Sequence, residues 1–545
     1  MRKAFLVILF VLLPGAALFA QFPRERGSFQ GRQGQGQPFG GGQGFQKREG
    51  NRFEGGAQPR PERYENNKTD VRLAAERENS PFAFAHAWAT GSNPLYNYPE
   101  YINDMKDIGV YWVRAAGFYS LNWSRMRSLD GAAKWGQMDS IVKELQYNGI
   151  NLLLSINPGV GQGQSQGRGQ GMMQGEALPD DLEAYSRFIQ GAVERYDMDG
   201  VDDMPGLRFP VRHYLVGNEP DVPVIWRGTP EDYAVFVRTT YQAIKRASPD
   251  AKVVMGGSAG SLFQYLPAGQ NPPAGLTGSL REDGRKGGDG FFVKAMRRLR
   301  AISGQDRYDD LVMDFHFYGS AGDWRAIEYF VRYIRKLEDD FGFSHFPVWV
   351  TETGTFSGEI SGMVKNDLAR ATGQMGRTRS QDEAAQAGEL VKRYAFGAAN
   401  GVEKLFWFTI KGGSNPVYFE NTGLLDSRSR KKPSYYAYKK MVEVLEGSGW
   451  DKIEAIQEKD GAYIYKFKKK SKSIWMAWND GAASKTIIIE TGDARQVKIT
   501  KAVPRYESGK DVKDYSMAFD EEAKSTDKGK ITITLGESPI FVEML

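Results

Sequence analysis

The strongest constraint on the fold of this 545-residue chain is a repeated alternation of short apolar runs with amphipathic stretches. Apolar runs that alternate with helical patterns indicate βα units and a parallel sheet. From about Pro81 onward eight such units can be counted, and their strands are predicted to begin near Phe82, Val110, Ile150, Val211, Lys252, Leu311, Pro347 and Lys404. Eight units in roughly 360 residues predict an α/β fold, a (β/α)8 TIM barrel.

Start signals support the predicted helices. In one of them Thr229 is a typical capping residue and Pro230 suits the first turn. Glu231 and Asp232 follow, where negative charge complements the helix dipole. A helix is therefore predicted to begin at this point.

The periodicity changes to two after a last helix near Ser434 to Leu445. Alternating runs separated by Gly, Asp, Lys and Ser predict antiparallel strands. They are Ala462 to Phe467, Ser473 to Trp478, Thr486 to Ile489, Val497 to Thr500, Ile531 to Leu535 and Pro539 to Leu545. We expect a barrel over residues 71–445, followed by a small all-β sandwich domain over residues 446–545.

Two segments precede the barrel. Residues 1–20 have the pattern of a signal peptide, with Arg2 and Lys3 before an apolar run from Ala4 to Leu13 that is too short for a bilayer span. Residues 21–70 are rich in Gly, Gln and Arg with few aliphatics, which predicts a disordered segment. The chain is expected to be secreted or periplasmic, without a membrane anchor.

Composition excludes several classes of function. The 72 basic and 67 acidic residues nearly balance and are dispersed, so no nucleic-acid surface is expected. The absence of cysteine excludes disulfides, thiolate chemistry and cysteine metal sites. The acidic stretch from Asp197 to Asp203 resembles calcium-binding loops but lacks their full spacing and terminal glutamate. Any calcium there would be structural.

Glutamates end two of the predicted strands. Glu219 ends strand four, where Pro220 is expected to stop the ladder, and Glu352 ends strand seven. A (β/α)8 barrel carries its active site at the C-terminal ends of its strands, and these two strands lie on roughly opposite walls. The carboxylates can therefore converge, and a carboxylate pair is the equipment for glycosidic bond cleavage.

These motifs, Asn218-Glu219-Pro220 and Thr351-Glu352-Thr353-Gly354, resemble those of the clan A glycoside hydrolases, in a family 39-like or family 5-like form. In that clan the acid/base follows an asparagine at the end of strand four, and the nucleophile ends strand seven. The resemblance covers about residues 81–440 and extends into the sandwich. It implies a retaining double displacement, with Glu219 as acid/base and Glu352 as nucleophile.

The resemblance also implies supporting roles. Asn218 would bond the sugar 2-hydroxyl, and Arg114 on strand two would hold the nucleophile ionised. Trp407 would stack below the reactive sugar. The alternatives are a strand-end cap, a structural ion pair and core packing, respectively.

Three further residues are substrate-binding candidates. His316 and Tyr318 share one face of strand six. Tyr318 could bond Glu352, and His316 could contact either sugar or the nucleophile. His86 on strand one is the third candidate. A structural role is the alternative for each histidine.

The resulting hypothesis is an exported, monomeric retaining glycoside hydrolase that acts on a polysaccharide or oligosaccharide, without a metal or organic cofactor. The alternative is a non-catalytic carbohydrate-binding or surface-adhesion protein that keeps the barrel as a scaffold. Insertions at residues 161–175, 270–290 and 354–379 follow strands and are expected at the active-site rim.

Overall fold

A computed structural model describes residues 68–85, 98–116, 119–127, 133–159, 175–223, 225–259, 290–359, 380–412, 421–481, 483–506, 512 and 514–545. The predicted signal peptide lies outside these residues, as do residues 21–67 and most of the three rim insertions. Helix α1 already begins at Lys68, so the last three residues of the predicted disordered segment are helical instead.

Eight parallel strands within the described ranges close into a barrel. They are β1 (Phe82–Phe84), β2 (Trp112–Ala115), β3 (Asn151–Asn157), β4 (His213–Val216), β5 (Lys252–Met255), β6 (Leu311–Phe317), β7 (Val348–Thr353) and β8 (Val402–Trp407). Neighbours along the chain pair in parallel, and β8 pairs with β1 to close the ring. The predicted (β/α)8 barrel is confirmed. A short strand, Leu121–Asn122, also pairs with β3.

Helices surround the barrel. They are α1 (Lys68–Glu76), α2 (Tyr98–Ile108), α3 (Trp123–Met126), α4 (Gly136–Gln146), α5 (Leu182–Glu194), α6 (Pro230–Ala247), α7 (Phe291–Ile302), α8 (Ala326–Phe341), α9 (Glu383–Ala399) and α10 (Pro433–Leu445). The predicted start of α6 is confirmed by a capping box in which Thr229 and Asp232 bond each other's backbone N–H groups.

The N-terminal end of the barrel interior is filled by aromatic rings. His213 packs against Trp112 and Trp349, with ring centroids 4.9 Å and 5.4 Å apart. Burial, reinforced by nearby lysine and arginine charges, holds the pKa of His213 well below its usual value, so the ring is neutral. The ammonium of Lys404 lies over the same two tryptophan rings, so this end of the barrel is closed by packing.

The C-terminal region is a sandwich of antiparallel strands, as predicted. Its strands are β9 (Glu454–Lys459), β10 (Ala462–Lys469), β11 (Lys472–Asn479), β12 (Lys485–Glu490), β13 (Gln496–Lys501), β14 (Glu521–Ser525), β15 (Lys530–Leu535) and β16 (Ile540–Met544). A six-stranded sheet, in the order β9-β10-β11-β16-β13-β14, packs on the pair β12–β15.

Aromatic packing and an ion pair join the sandwich to the barrel. Trp478 of β11 packs edge-on against Trp324, which lies just before α8, with centroids 5.2 Å apart. Arg325 pairs with Asp480 beside this contact. Among the helices of the described ranges, none is long and apolar enough to cross a membrane.

Candidate active site

The C-terminal mouth of the barrel gathers side chains from three strands and from the turn after a fourth. Arg114 comes from β2, His316 from β6 and Glu352 from β7. Glu219 follows β4, although the strand ends at Val216, so the ladder stops before Pro220 rather than at it. The sequence-based boundary was therefore too long.

A strained turn brings Glu219 over the mouth. Its φ of 41° is in the left-handed region, which is uncommon for a residue with a Cβ, and it follows Gly217 at φ 80°. Such conformations cost free energy and cluster at functional sites. Here the turn carries Glu219 past the strand end and toward β6.

Irregularities in β7 aim Glu352 inward. Trp349 belongs to the inner cluster of the barrel and Val350 to the outer core, so strict alternation would put Thr351 inside and Glu352 outside. The pairing of β7 with β8 shifts between Val350 and Thr353, and the pairing with β6 shifts between Asp314 and His316. Such bulges re-aim side chains. Thr351 and Glu352 both contact groups in the mouth.

The two glutamates meet in this mouth. One carboxylate oxygen of Glu219 and one of Glu352 lie within 4.8 Å of each other. A nitrogen of His316 lies within the same distance of both. The glutamate side chains are 15% and 12% exposed, so both can be reached from solvent. The structure thus brings together the pair that the sequence singled out.

Arg114 links the nucleophile candidate to the strand-four turn. Its Nη1 donates to Oε2 of Glu352 across 3.1 Å, and its Nη2 donates to Oδ1 of Asn218. The carbonyl of Thr351 lies 3.3 Å from Nη1. One planar guanidinium therefore balances the charge of Glu352 and orients the Asn218 amide.

Tyr318 holds the other oxygen of Glu352. Its hydroxyl donates to Oε1, as the shared face with His316 suggested. Arg114 of β2 holds Oε2 and Tyr318, the residue directly after β6, holds Oε1, so both oxygens of Glu352 have donors from the barrel. The carboxylate is preorganised in one orientation.

His316 contacts Glu219, a partner that the sequence had not indicated. Its Nδ1 lies 2.8 Å from Oε1 of Glu219 and 4.0 Å from Oε2 of Glu352. Burial lowers the pKa of His316. The charge of Glu352 and the interactions with Asp314 and Glu219 outweigh this effect and raise the pKa to about 10. The imidazole is therefore cationic at neutral pH.

Sequence reasoning assigned no role to Asp314 or to the Thr351 side chain, which lie behind His316. Asp314, 2% exposed, accepts from the Thr351 amide across 2.8 Å and from the Thr351 hydroxyl across 2.5 Å. Strand alternation carried a usable signal, because Asp314 lies two residues before His316 and so on the same face.

The expected stacking role of Trp407 is wrong. Its side chain is 0% exposed and packs in the core outside the barrel, because alternation points Phe406 and Phe408 inward. Phe408 lies at the mouth with its ring 6.0 Å from that of Tyr318. It is the aromatic residue in position to line the site. His86, the strand-one candidate, lies outside the described residues.

The acidic loop before β4 forms a compact turn. Asp197, Asp199 and Asp203 each place a carboxylate oxygen within 4.8 Å of the others. Asp203 accepts from the backbone N–H groups of Met198 and Gly200, each across 2.9 Å. Burial, together with the charges of neighbouring acids, raises the pKa of Asp197 to about 6. The loop lies at the barrel end opposite the glutamates.

Comparison with known proteins bears on the fold. No protein-family model and no curated protein sequence matches the chain. Solved structures do match. A family 39 glycoside hydrolase from the gut symbiont Bacteroides cellulosilyticus WH2 aligns with a TM-score of 0.56 at 16% identity, over 87% of this chain and 82% of that one.

Two other structures agree. A glucosidase from Croceicoccus marinus has a TM-score of 0.56 at 14% identity, over 85% of this chain and 94% of its own. A family 51 α-L-arabinofuranosidase from Thermotoga petrophila RKU-1 has a TM-score of 0.53 at 11% identity, over 86% and 96%. The chain has the fold of these glycoside hydrolases. Each alignment covers more of this chain than the barrel alone, and at these identities the likeness concerns the fold.

Proposed function

We propose that the chain is an exported retaining glycoside hydrolase that cleaves O-glycosidic bonds in a polysaccharide or oligosaccharide. The observation that carries the proposal is the approach of Glu219 and Glu352, one oxygen of each carboxylate lying within 4.8 Å of the other at the mouth of the barrel. Retaining enzymes place their two carboxyl groups about 5 to 5.5 Å apart, whereas inverting enzymes leave about 6.5 to 9.5 Å for a water. The observed approach fits the retaining class.

In the first step Glu352 attacks the anomeric carbon as the bond from that carbon to the leaving oxygen breaks. Glu219 gives its proton to that oxygen, and a covalent glycosyl-enzyme remains. The contacts of Glu352 support this role, since Arg114 and Tyr318 hold its two oxygens in place. A nucleophile held in one orientation avoids reorganisation on the way to the transition state.

In the second step Glu219, now ionised, takes a proton from water as the water oxygen attacks the anomeric carbon. The bond to Glu352 breaks and its carboxylate is restored. His316 holds only Oε1 of Glu219, so Oε2 is available to carry the transferred proton in both steps. Asn218, oriented by Arg114, is in position to bond a sugar hydroxyl next to the reacting carbon.

The proposed substrate class is carbohydrate. Structural neighbours are described as a glucosidase, β-xylosidases and an α-L-arabinofuranosidase, so one fold serves several sugars. Export is proposed from the charged and apolar pattern of residues 1–20. N-terminal sequencing of the protein recovered outside the cytoplasm tests it, and an intact Met1 would contradict it.

The decisive experiment combines a substrate panel with covalent trapping. Wild type, Glu352→Gln and Glu219→Gln are incubated with aryl glycosides and polysaccharides, and the anomer released first is identified by NMR. A 2-deoxy-2-fluoro analogue of the best substrate should label the peptide that contains Glu352, because the fluorine slows turnover of the intermediate. The label should be absent in Glu352→Gln.

Three outcomes would contradict the proposal. An inverted first product, or a label on another carboxylate, would overturn the assigned mechanism. Absence of turnover on every substrate, with undiminished sugar binding by Glu352→Gln, would instead favour a carbohydrate-binding protein on a barrel scaffold.

A further inference from the structure

A chain of hydrogen bonds runs from Glu219 to a carboxylate that the proposed mechanism does not use. Oε1 of Glu219 lies 2.8 Å from Nδ1 of His316, and Nε2 of His316 lies 3.1 Å from Oγ1 of Thr351. That hydroxyl lies 2.5 Å from Oδ2 of Asp314. This hydrogen-bond chain runs from the turn after β4 to His316 on β6, then to Thr351 on β7 and back to Asp314 on β6.

Counting the available hydrogens shows which group donates in each of these hydrogen bonds. An ionised Asp314 only accepts, and its two oxygens take the backbone N–H and the hydroxyl of Thr351. A threonine hydroxyl has one hydrogen, so Oγ1 can then only accept from His316. Nε2 must carry a hydrogen for that bond, and Nδ1 must carry one to bond Oε1 of Glu219, which accepts whether or not Oε2 holds a proton.

Arg114 could form a competing hydrogen bond with Nε2 of His316. Its Nη1 lies 3.3 Å from Nε2 of His316, and could donate to that nitrogen if it were unprotonated. The same Nη1 has an ionised acceptor in Glu352 at 3.1 Å, and hydrogen bonds between charged groups are stronger. The hydroxyl of Thr351, committed to Asp314, therefore selects the donor form of Nε2.

The side chains of this hydrogen-bond chain are buried, so each depends on the others for its hydrogen bonds. Asp314, Thr351 and His316 are 2%, 0% and 3% exposed. A Cβ at Gly257 would lie 2.5 Å from Cδ2 of His316, so the backbone of the β5 end closes off the other side of the ring. Water could not easily reach this site to replace a lost hydrogen bond.

We propose that Asp314 is a positioning residue that acts on Glu219 through Thr351 and His316. It keeps the Thr351 hydroxyl an acceptor, which keeps Nε2 of His316 protonated, while Nδ1 donates to Oε1 of Glu219 and leaves Oε2 for the reaction. The part of this inference that concerns catalysis rests on the proposed acid/base role of Glu219. The groups facing His316 from neighbouring elements are Glu219, Glu352, Asp314 and Arg114.

The first test uses leaving groups of different quality. A phenyl glycoside needs a proton on its leaving oxygen, whereas a 2,4-dinitrophenyl glycoside does not. For Asp314→Asn, kcat/KM on the phenyl substrate should fall about ten- to hundredfold, the effect expected for losing a hydrogen bond to a charged group. On the dinitrophenyl substrate it should stay nearly unchanged. Equal losses on both would overturn the link to Glu219.

The second test observes the histidine directly and needs no substrate. The chain has four histidines, so ¹⁵N-histidine spectra are simple, and the His316 signals are those absent from His316→Gln. In wild type both nitrogens should carry hydrogen from pH 5 to pH 8.5, since the pKa of His316 is raised to about 10. Asp314→Asn and Thr351→Val should each produce a neutral tautomer within that range, and Thr351→Ser should restore the doubly protonated form.

The matched control is Asp70→Asn. Asp70 is another carboxylate almost without exposure, paired with Arg208 across 2.9 Å at the opposite end of the barrel. This variant should lower the melting temperature without altering the His316 signals or the leaving-group dependence. Unchanged His316 signals in both Asp314→Asn and Thr351→Val would overturn the inference, even if wild type hydrolysed nothing. A wild type that shows the expected signals but cleaves no glycoside would refute the proposed function alone.

Discussion

Nη1 of Arg114 lies 3.1 Å from Oε2 of Glu352, in an ion pair whose arginine is 1% exposed. Nη2 of the same guanidinium donates to Asn218. A single side chain thus connects β2, the turn after β4 and the inner face of β7. Because its charge is buried, the pair is sensitive to any change in geometry.

Arg114→Lys should lower kcat/KM roughly 30- to 150-fold, the equivalent of about 2 to 3 kcal/mol. One ammonium cannot bond Glu352 and Asn218 with the spacing of a planar guanidinium. Steady-state kinetics on the best aryl glycoside measure the effect. Arg195→Lys is the control, because that arginine pairs with Asp139 at the partly exposed surface and should leave kcat/KM unchanged. Equal kinetics for wild type and Arg114→Lys would contradict the prediction.

Tyr318→Phe should reduce kcat/KM by about 10- to 100-fold, as expected for a hydrogen bond to a charged group. The ring that packs against Phe408 is retained, so the melting temperature should change little. Kinetics measure the loss of the hydrogen bond to Glu352, and thermal unfolding measures any loss of packing. A large fall in melting temperature with normal kcat/KM would assign Tyr318 a structural role instead.

Gly257→Ala should lower the free energy of unfolding by roughly 1 to 3 kcal/mol, because overpacking displaces neighbours. The added Cβ would lie 2.6 Å from Oδ2 of Asp314 and closer still to the ring of His316. Activity should fall with stability. Gly191→Ala in α5 is the control, since its Cβ would meet nothing within 4 Å and should stabilise the helix by up to about 1 kcal/mol. Chemical denaturation measures both, and similar effects at the two sites would refute the argument.

Glu176→Gln should stabilise the protein increasingly as the pH rises. Burial raises the pKa of Glu176 to about 8, a larger effect than the opposing bond from Asn157, against 4.5 for an ordinary glutamate. Between these values the folded chain keeps a proton that the unfolded chain has released, so wild-type stability falls as the pH rises through this window. Glutamine does not titrate and keeps an acceptor for Asn157.

The measurement for Glu176→Gln is the free energy of unfolding at pH 4, 6 and 9. The advantage of the variant should be smallest at pH 4 and largest at pH 9. Glu183→Gln is the control, because that glutamate is 86% exposed and its substitution should give no such trend. A pH-independent difference for Glu176→Gln would disprove the assignment.

Much of the fold could be predicted because its signals are local. Strand starts at Phe82, Lys252 and Leu311 coincide with the predicted ones, and Thr229 caps its helix as expected. Strand alternation correctly grouped His316 of β6 with Tyr318, which directly follows that strand. The error at Trp407 arose because a role was assigned by resemblance, while the alternation of its own strand points Phe406 and Phe408 inward.

The sequence by itself determined that eight βα units form a barrel and that two glutamates reach its active-site rim, because periodicity and strand ends are properties of consecutive residues. Tertiary structure alone decided which groups those glutamates contact. Strict alternation would turn Glu352 away from the mouth, and only the register shifts beside it bring it to Arg114 and Tyr318. The bond from His316 to Glu219 likewise joins residues 97 positions apart. Such contacts depend on register, bulges and the left-handed turn at Glu219, which arise when the strands pack together.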